Sequence, residues 1–324
     1  MNRKILSITL TLYLLLSTFI MSPVAYAAEG DGTEGNPYLI TTPAELQKIN
    51  EDVTAHYKLM ADIDLKQALF TPLGNIDTGA FSGSFDGNGH TISNLKIDAG
   101  KYAGLFGCNE GTIKNVKIKN ADVYGSRYVG GIVGQNMDTG VITACSVESG
   151  KIYADTGVSE LYVGGICGYN SGKFEGRFYN GAQVDSPDYA GGIVAYSSSE
   201  ISLTADNSGN IKGGKGVGGL VGYTYSDVNI SESSNCGGIV GRYGCAGLIG
   251  LALRHATISS SYNNGQVKKN DSSSGGSGGL IGGEASAGWG SFIIRDSWNN
   301  GDIDGGGLLG DSRAKIYNSY NTGN

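Results

Sequence analysis

The chain is short of the residues from which catalytic and metal sites are commonly built. Its 324 residues include 3 histidines, His56, His90 and His255, at no motif spacing. No His-Glu-x-x-His occurs, so the zinc-peptidase helix with its two ligands and general base is excluded. The 5 cysteines, Cys108, Cys145, Cys167, Cys236 and Cys245, form no Cys-x-x-Cys pair. A zinc site is therefore disfavoured, and the expected metal and cofactor content is none. An odd count also argues against a disulfide framework; Cys236 and Cys245 are the pair spaced to bridge neighbouring turns. Charged residues are only 16 % and the net charge is −7, a poor match for nucleic acid or an anionic membrane surface. With 5 prolines, low charge and 40 % hydrophobic residues, the composition is not that of a disordered polymer.

Long apolar runs are missing too, except at the start. Arg3 and Lys4 precede the apolar stretch from Ile5 to Ile20, and Ala25-Tyr-Ala27 is a small-x-small cleavage site. Residues 1–27 read as a secretory signal peptide, which makes the protein extracellular and leaves 297 residues (324 minus 27).

What is abundant is glycine, 55 in all, and it recurs in phase. Blocks like Tyr128-Val-Gly-Gly-Ile-Val-Gly134 place a glycine before an aliphatic residue at Gly104, Gly131, Gly165, Gly192, Gly219, Gly247, Gly279 and Gly307. The steps, by subtraction, are 27, 34, 27, 27, 28, 32 and 28 residues. Between blocks lies an Asn-x-Gly turn at Asn207, Asn235, Asn263, Asn299 and Asn321, each preceded by an aliphatic segment at Leu203, Ile230, Ile258, Ile294 or Ile316. Three strands of about five residues with three corners use about 27 residues, one coil of a three-sided parallel β-helix. A leucine-rich horseshoe of similar period needs far less glycine, and a propeller needs longer blades. The fold expected is all-β: glycines where coils approach closely, asparagines in an amide ladder, and Leu105, Ile132, Ile166, Ile193, Leu220, Leu248, Leu280 and Leu308 in one interior row. Cys167 takes an aliphatic slot of its block and should be buried.

The segment before the repeats carries its own signals. Thr42-Pro-Ala-Glu45 is a capping box that predicts a short amphipathic helix over Pro43 to Asn50, with Leu46 and Ile49 as its apolar face. Such a helix would plug the first coil. Asp62 and Asp64 fall on one face of the next strand and read as a solvated face. Asp86-Gly-Asn-Gly89 reads as a tight turn rather than a calcium loop, and His90 has no catalytic partner at a recognisable spacing.

The Gly-Leu/Ile-x-Gly blocks resemble the GLUG repeat of bacterial surface proteins. The segments Gly30 to Leu65 and Phe81 to Leu95 resemble the leader that precedes such repeats. The resemblance implies a right-handed parallel β-helix on or outside a bacterial cell, often linked with adhesion. Such repeats also occur beside the catalytic part of IgA-specific metallopeptidases, but the peptidase motif is missing here. The organisation expected is a signal peptide at 1–27, an N-terminal cap and first coils at 28–97, and GLUG-type repeats at 98–324.

Three functions are open at this level: a non-catalytic adhesion module for glycans or host and matrix proteins, a β-helical polysaccharide lyase or hydrolase, and a passive stalk. An enzyme of this shape would need clustered carboxylates, for which Asp185 with Asp188, or Asp302 and Asp304 with Arg313, are the candidates. No catalytic residue is assigned. Candidate ligand-binding residues are Tyr262, Trp298 and Tyr320, which flank equivalent Asn-Gly turns; Tyr102, Tyr128, Tyr162 and Tyr189 form a second series. Val141 to Leu161 and Lys268 to Ser277 interrupt the period and read as loops where partners would bind. The sequence stops within a unit, from which a longer natural chain, or pairing of the last coil with another copy, is expected.

Overall fold

The computed structural model describes residues 29–155, 160–270, 275–284, 290–311 and 313–324. The expected signal peptide lies outside these residues. The chain forms a parallel β-solenoid of about 9 turns with one short helix near its N-terminus. One coil is composed of Thr112–Lys114, Lys117–Lys119, Ala121–Gly125, Tyr128–Gly130 and Val133–Asn136. Each strand pairs in parallel with its counterpart one coil on, as in Val194↔Val221 and Val221↔Ile249, 27 and 28 residues apart by subtraction. The stacked strands make sheets of 6, 14, 7, 7 and 8 members.

The expectation of three five-residue strands per coil is corrected to five shorter ones. The break has a backbone cause. Asn115 and Asn120 take left-handed φ values of 55° and 57°, which turn the chain between the first three strands. Ala144, Glu232, Ser260 and Asp296 do the same at the first of these corners in later coils. Where no such residue occurs, Ile201–Asn207 runs on as a single seven-residue strand and joins two faces.

The interior row forms as expected. Leu105, Ile132, Ile166, Ile193, Leu220, Leu248 and Leu280 are fully buried and Leu308 is 8 % exposed. Their backbones are bonded coil to coil, Ile166 N–H to Ile193 at 3.0 Å and Leu220 N–H to Leu248 at 3.0 Å. Each buried aliphatic of this size is worth about 2 kcal/mol gross, and only stacking supplies the burial. Cys167 is buried in register with Val133 and Val194. No disulfide joins Cys236 and Cys245. Burial pushes the thiols of Cys145 and Cys167 up to about 12.

Two interruptions of the period are smaller than expected. Val141–Thr143, Ser146–Val147 and Gly150–Ala154 are ordinary strands of one coil, so the first insertion begins only near Asp155. Val267–Lys269 is likewise a strand; residues 156–159 and 271–274, the centres of the two loops, lie outside the described residues.

At the N-terminal end the helix Pro43–Lys48 continues as a 3-10 turn, Ile49–Glu51. Thr42 Oγ1 accepts the Glu45 N–H at 3.2 Å, and Glu45 Oε2 accepts the Thr42 N–H at 3.0 Å. Leu46 and Ile49 are fully buried in the common core. Gln47 and Asn50 clamp the helix to Thr71, Pro72 and Gly74. The Asp86–Gly89 turn is structural: Asp86 Oδ1 accepts Asn88 N–H at 2.8 Å and Asn115 Nδ2 at 3.0 Å.

Carboxylates held below their ordinary value cluster in this part of the chain. Hydrogen bonds from Thr33 lower Asp31, those from Thr54 lower Asp52, that from the Thr91 N–H lowers Asp62, and that from Asn94 lowers Asp64. Burial alone would raise Glu45 and Asp86, but the Thr41 N–H and the Asn115 amide, with their neighbours, lower both. A group with a folded pKa below its unfolded one contributes stability that is complete above the unfolded value and is lost as pH falls through the folded value. The ordinary values here are 3.8 for Asp and 4.5 for Glu. Acidification below that range should therefore loosen residues 30–90 before the repeats. Hydrogen exchange corrected for intrinsic rate should show uptake rising first in peptides from that segment between pH 5 and about pH 3. Equal loss of protection in residues 128–252 would contradict the assignment.

Candidate binding surface

The two sequence motifs turn out to be halves of one contact. Asn180, Asn207, Asn235, Asn263 and Asn299 are buried in the interior, and each Nδ2 donates to the Oδ1 of the next asparagine at 2.8, 2.7, 2.7, 2.6 and 2.6 Å, ending on Asn321. The second hydrogen of each amide goes to a carbonyl two residues on, Gly209 for Asn207 and Gly237 for Asn235, both at 2.8 Å. Gly219 packs on the Cγ of Asn235, and a Cβ there would come within 2.5 Å of it and would also strike the carbonyl of Gly247. Gly192 stands in the same relation to Asn207 and Gly219. This ladder was expected at Asn207 to Asn321; Asn180 adds a rung. A second ladder was not expected. It runs Asn109, Asn136, Asn170 at 2.8 and 2.8 Å and passes to Ser197 at 3.0 Å. Its signal is phase: each member falls five residues after the block glycine.

Outside, aromatic residues stack. Tyr102, Tyr128, Tyr162 and Tyr189 are in register on adjacent coils, with ring centroids 5.5, 5.8 and 5.1 Å apart. A neighbouring column, Tyr169, Tyr196 and Tyr223, interleaves with it at 5.1 Å (Tyr128–Tyr169), 4.9 Å (Tyr162–Tyr196) and 5.5 Å (Tyr189–Tyr223). Sequence reasoning found the first column and missed the second, whose members lie four residues after their block glycines. Six of the seven rings are half-buried and Tyr162 is buried. Burial first, then the Glu160 carboxylate, pushes the Tyr162 hydroxyl well above its ordinary value; burial does the same at Tyr196. Cations edge the strip: Lys101 lies 4.9 Å from the Tyr102 centroid, Arg127 5.2 Å from Tyr128 and Lys215 4.9 Å from Tyr189. Arg127 Nε and Gln135 Oε1 are buried without a hydrogen-bond partner.

Tyr262, Trp298 and Tyr320 also come together in one column. Their rings are nearly parallel, tilted by 7° and 9°, with centroids 5.0 and 6.2 Å apart. Rings stacked face to face cover one another, so this column offers mainly edges outward.

The carboxylates considered for catalysis each have a structural partner. Asp185 pairs with Lys212 at 3.8 Å, while Asp188 accepts the backbone N–H of Glu160 at 2.9 Å and lies 3.7 Å from Lys215. Asp302 and Asp304 accept backbone N–H groups of Asn324 and Lys269. Among the described residues no group of three or more His, Cys, Asp or Glu is placed to hold a metal, and no helix is long and apolar enough to cross a membrane.

A stretch of 125 residues is 33 % identical to Halomucin of Haloquadratum walsbyi (strain DSM 16790 / HBSQ001), covering 34 % of this chain and about 1 % of that protein's length. A crystal structure of a candidate immunoglobulin A1 protease from Bacteroides ovatus is similar over 90 % of this chain and 77 % of that one, with a TM-score of 0.45 and 20 % identity. Residues 125–153 match the family model of the GLUG motif. The glycine and aliphatic positions of that matched motif stack coil upon coil in the parallel β-solenoid.

Proposed function

We propose that this repeat protein is a non-catalytic interaction module, exported by its N-terminal signal and displayed at a bacterial cell surface. In this reading it presents a long solenoid face for adhesion to glycans or to host or matrix proteins. The observation that carries the reading is the strip of seven contacting tyrosines edged by Lys101, Arg127 and Lys215. Tyrosine and arginine are enriched where proteins bind partners, because a ring gives large contact area at little entropic cost and its hydroxyl still bonds.

The test is binding of the secreted chain to a glycan and matrix-protein array. Alanine at Tyr128, Tyr169 and Tyr196 should weaken capture about tenfold or more. Alanine at Tyr262, Trp298 and Tyr320, the column first suspected, should do less, since that column is a single file of three rings without the interleaved second column and the edging cations of the strip. Unchanged capture after the first triple substitution would sink the assignment of the strip. Release of new reducing or unsaturated sugar ends by the wild-type chain would sink the non-catalytic reading.

A further inference from the structure

Round the corner from the tyrosine strip, a groove of about 520 Å³ crosses five successive coils. Its floor is one register row, Tyr124↔Tyr153, Tyr153↔Asp185, Asp185↔Lys212 and Lys212↔Val240, with Arg242 two residues past Val240. Tyr124 and Tyr153 have centroids 5.3 Å apart, and Lys151 Nζ sits 4.2 Å from the Tyr153 centroid. Asp185 and Lys212 form an ion pair at 3.8 Å, beyond hydrogen-bond distance. Lys151, Lys212 and Arg242 are exposed. The order along the axis is thus aromatic, then aromatic with a cation and the Asp155 carboxylate, carboxylate, cation, cation, so cations outnumber carboxylates three to two.

We infer that this groove binds an extended carboxylated polysaccharide, a polyuronate-type chain lying parallel to the solenoid axis. The inference deepens the adhesion reading and rests on it. Successive coils repeat every ~4.8 Å, close to the length of one sugar unit in an extended chain, so neighbouring coils would meet neighbouring sugars. The tyrosine pair offers a surface for the C–H face of a pyranose. Lys151, Lys212 and Arg242 neutralise carboxylates at intervals, and Asp185 accepts sugar hydroxyls. Two other hollows have the opposite charge balance, their carboxylates outnumbering their lysines. The one beside the N-terminal helix combines exposed Leu69 and Ile76 with acidic Asp77 and Asp98. The one at His56 and Ser84 contains a 2.7 Å hydrogen bond between those two residues, with no acidic partner given to the imidazole.

The probe is a set of oligogalacturonates of graded length, titrated against the full secreted chain by calorimetry. From Tyr124 to Arg242 the groove spans four coil steps, about 19 Å, so affinity should rise with length and level off near four or five units. Tyr153→Ala and the pair Lys212→Ala and Arg242→Ala should each weaken binding about tenfold. Lys173→Ala, an exposed lysine on another face, should change nothing, and 0.5 M salt should weaken binding. Equal affinity for a neutral glucan, or groove variants that bind like the wild type, would overturn the proposal. So would single-stranded DNA competing as well as the uronate. Array capture that depends on the tyrosine strip but not on these residues would overturn the groove and leave the adhesion reading standing.

Discussion

Alanine in place of Gly219 should cost the solenoid about 3 kcal/mol or more, the effect of an overpacked core with no room to relax. The added methyl would strike the carbonyl of Gly247 on one side and the amide carbon of Asn235, 2.5 Å away, on the other. Neither neighbour can retreat. Gly219 N–H is bonded to Ala246 at 3.1 Å, and Asn235 is tied to Asn207 and Asn263 at 2.7 Å each. The backbone would have to part at this coil, breaking parallel pairing both above and below. Because each coil contacts only its neighbours, the damage should be local, with unfolding beginning in the flanking coils. Urea unfolding should show a lower midpoint, and hydrogen exchange should place the opening in residues 190–250. Gly100→Ala is the control: its Cβ would meet nothing within 4 Å, so stability should be unchanged or slightly higher. A Gly219→Ala chain as stable as the Gly100→Ala chain would refute close stacking as the reason for the repeated glycine.

That reason was legible in the sequence because a solenoid converts sequence phase into spatial register. Residues one period apart become neighbours, so Gly192, Gly219 and Gly247 could be placed on one row without coordinates. The Asn207 to Asn321 ladder was legible for the same reason. Three things were not. The five-strand coil depends on left-handed corners, and those are held by Asn115, Ala144, Glu232 and Asp296, which share no side-chain chemistry. The partnership between the glycine row and the asparagine row crosses the interior, so it depends on how wide the coil is, a quantity absent from the period. The groove from Tyr124 to Arg242 changes chemistry along its length, from tyrosines through carboxylate to cations, and a search for like above like passes over it. Periodicity thus exposed the scaffold, while the features that would select a ligand are those that break the repeat.

Replacing Asn235 in the buried ladder gives the second large effect, and its pH dependence separates ladder bonding from simple packing. Asn235→Leu removes a donor and an acceptor together. It strands the Nδ2 hydrogen of Asn207 and the carbonyl of Gly237 in the interior, and leaves the Oδ1 of Asn263 with the Gly265 N–H at 3.1 Å. Partnerless buried polar groups cost about 1–3 kcal/mol each, so a loss of at least about 2 kcal/mol is expected. Asn235→Asp keeps the shape and the acceptor for Asn207, but at neutral pH it buries a carboxylate against the Oδ1 of Asn263. Burial raises the folded pKa of such an acid above its unfolded value of about 3.9. The penalty is therefore absent below that value and grows as pH rises through the interval between the two. When protonated, the aspartic acid can donate to Asn263 again and regains one of the two bonds the amide made. Thermal unfolding should place Asn235→Asp far below the wild type at pH 7 and much nearer to it at pH 4, while Asn235→Leu should trail by the same margin at both. If the aspartate variant trails equally at both pH values, the amides would be spacers rather than a hydrogen-bonded row, and the pairing of Asn-x-Gly turn with glycine block would reduce to a matter of volume.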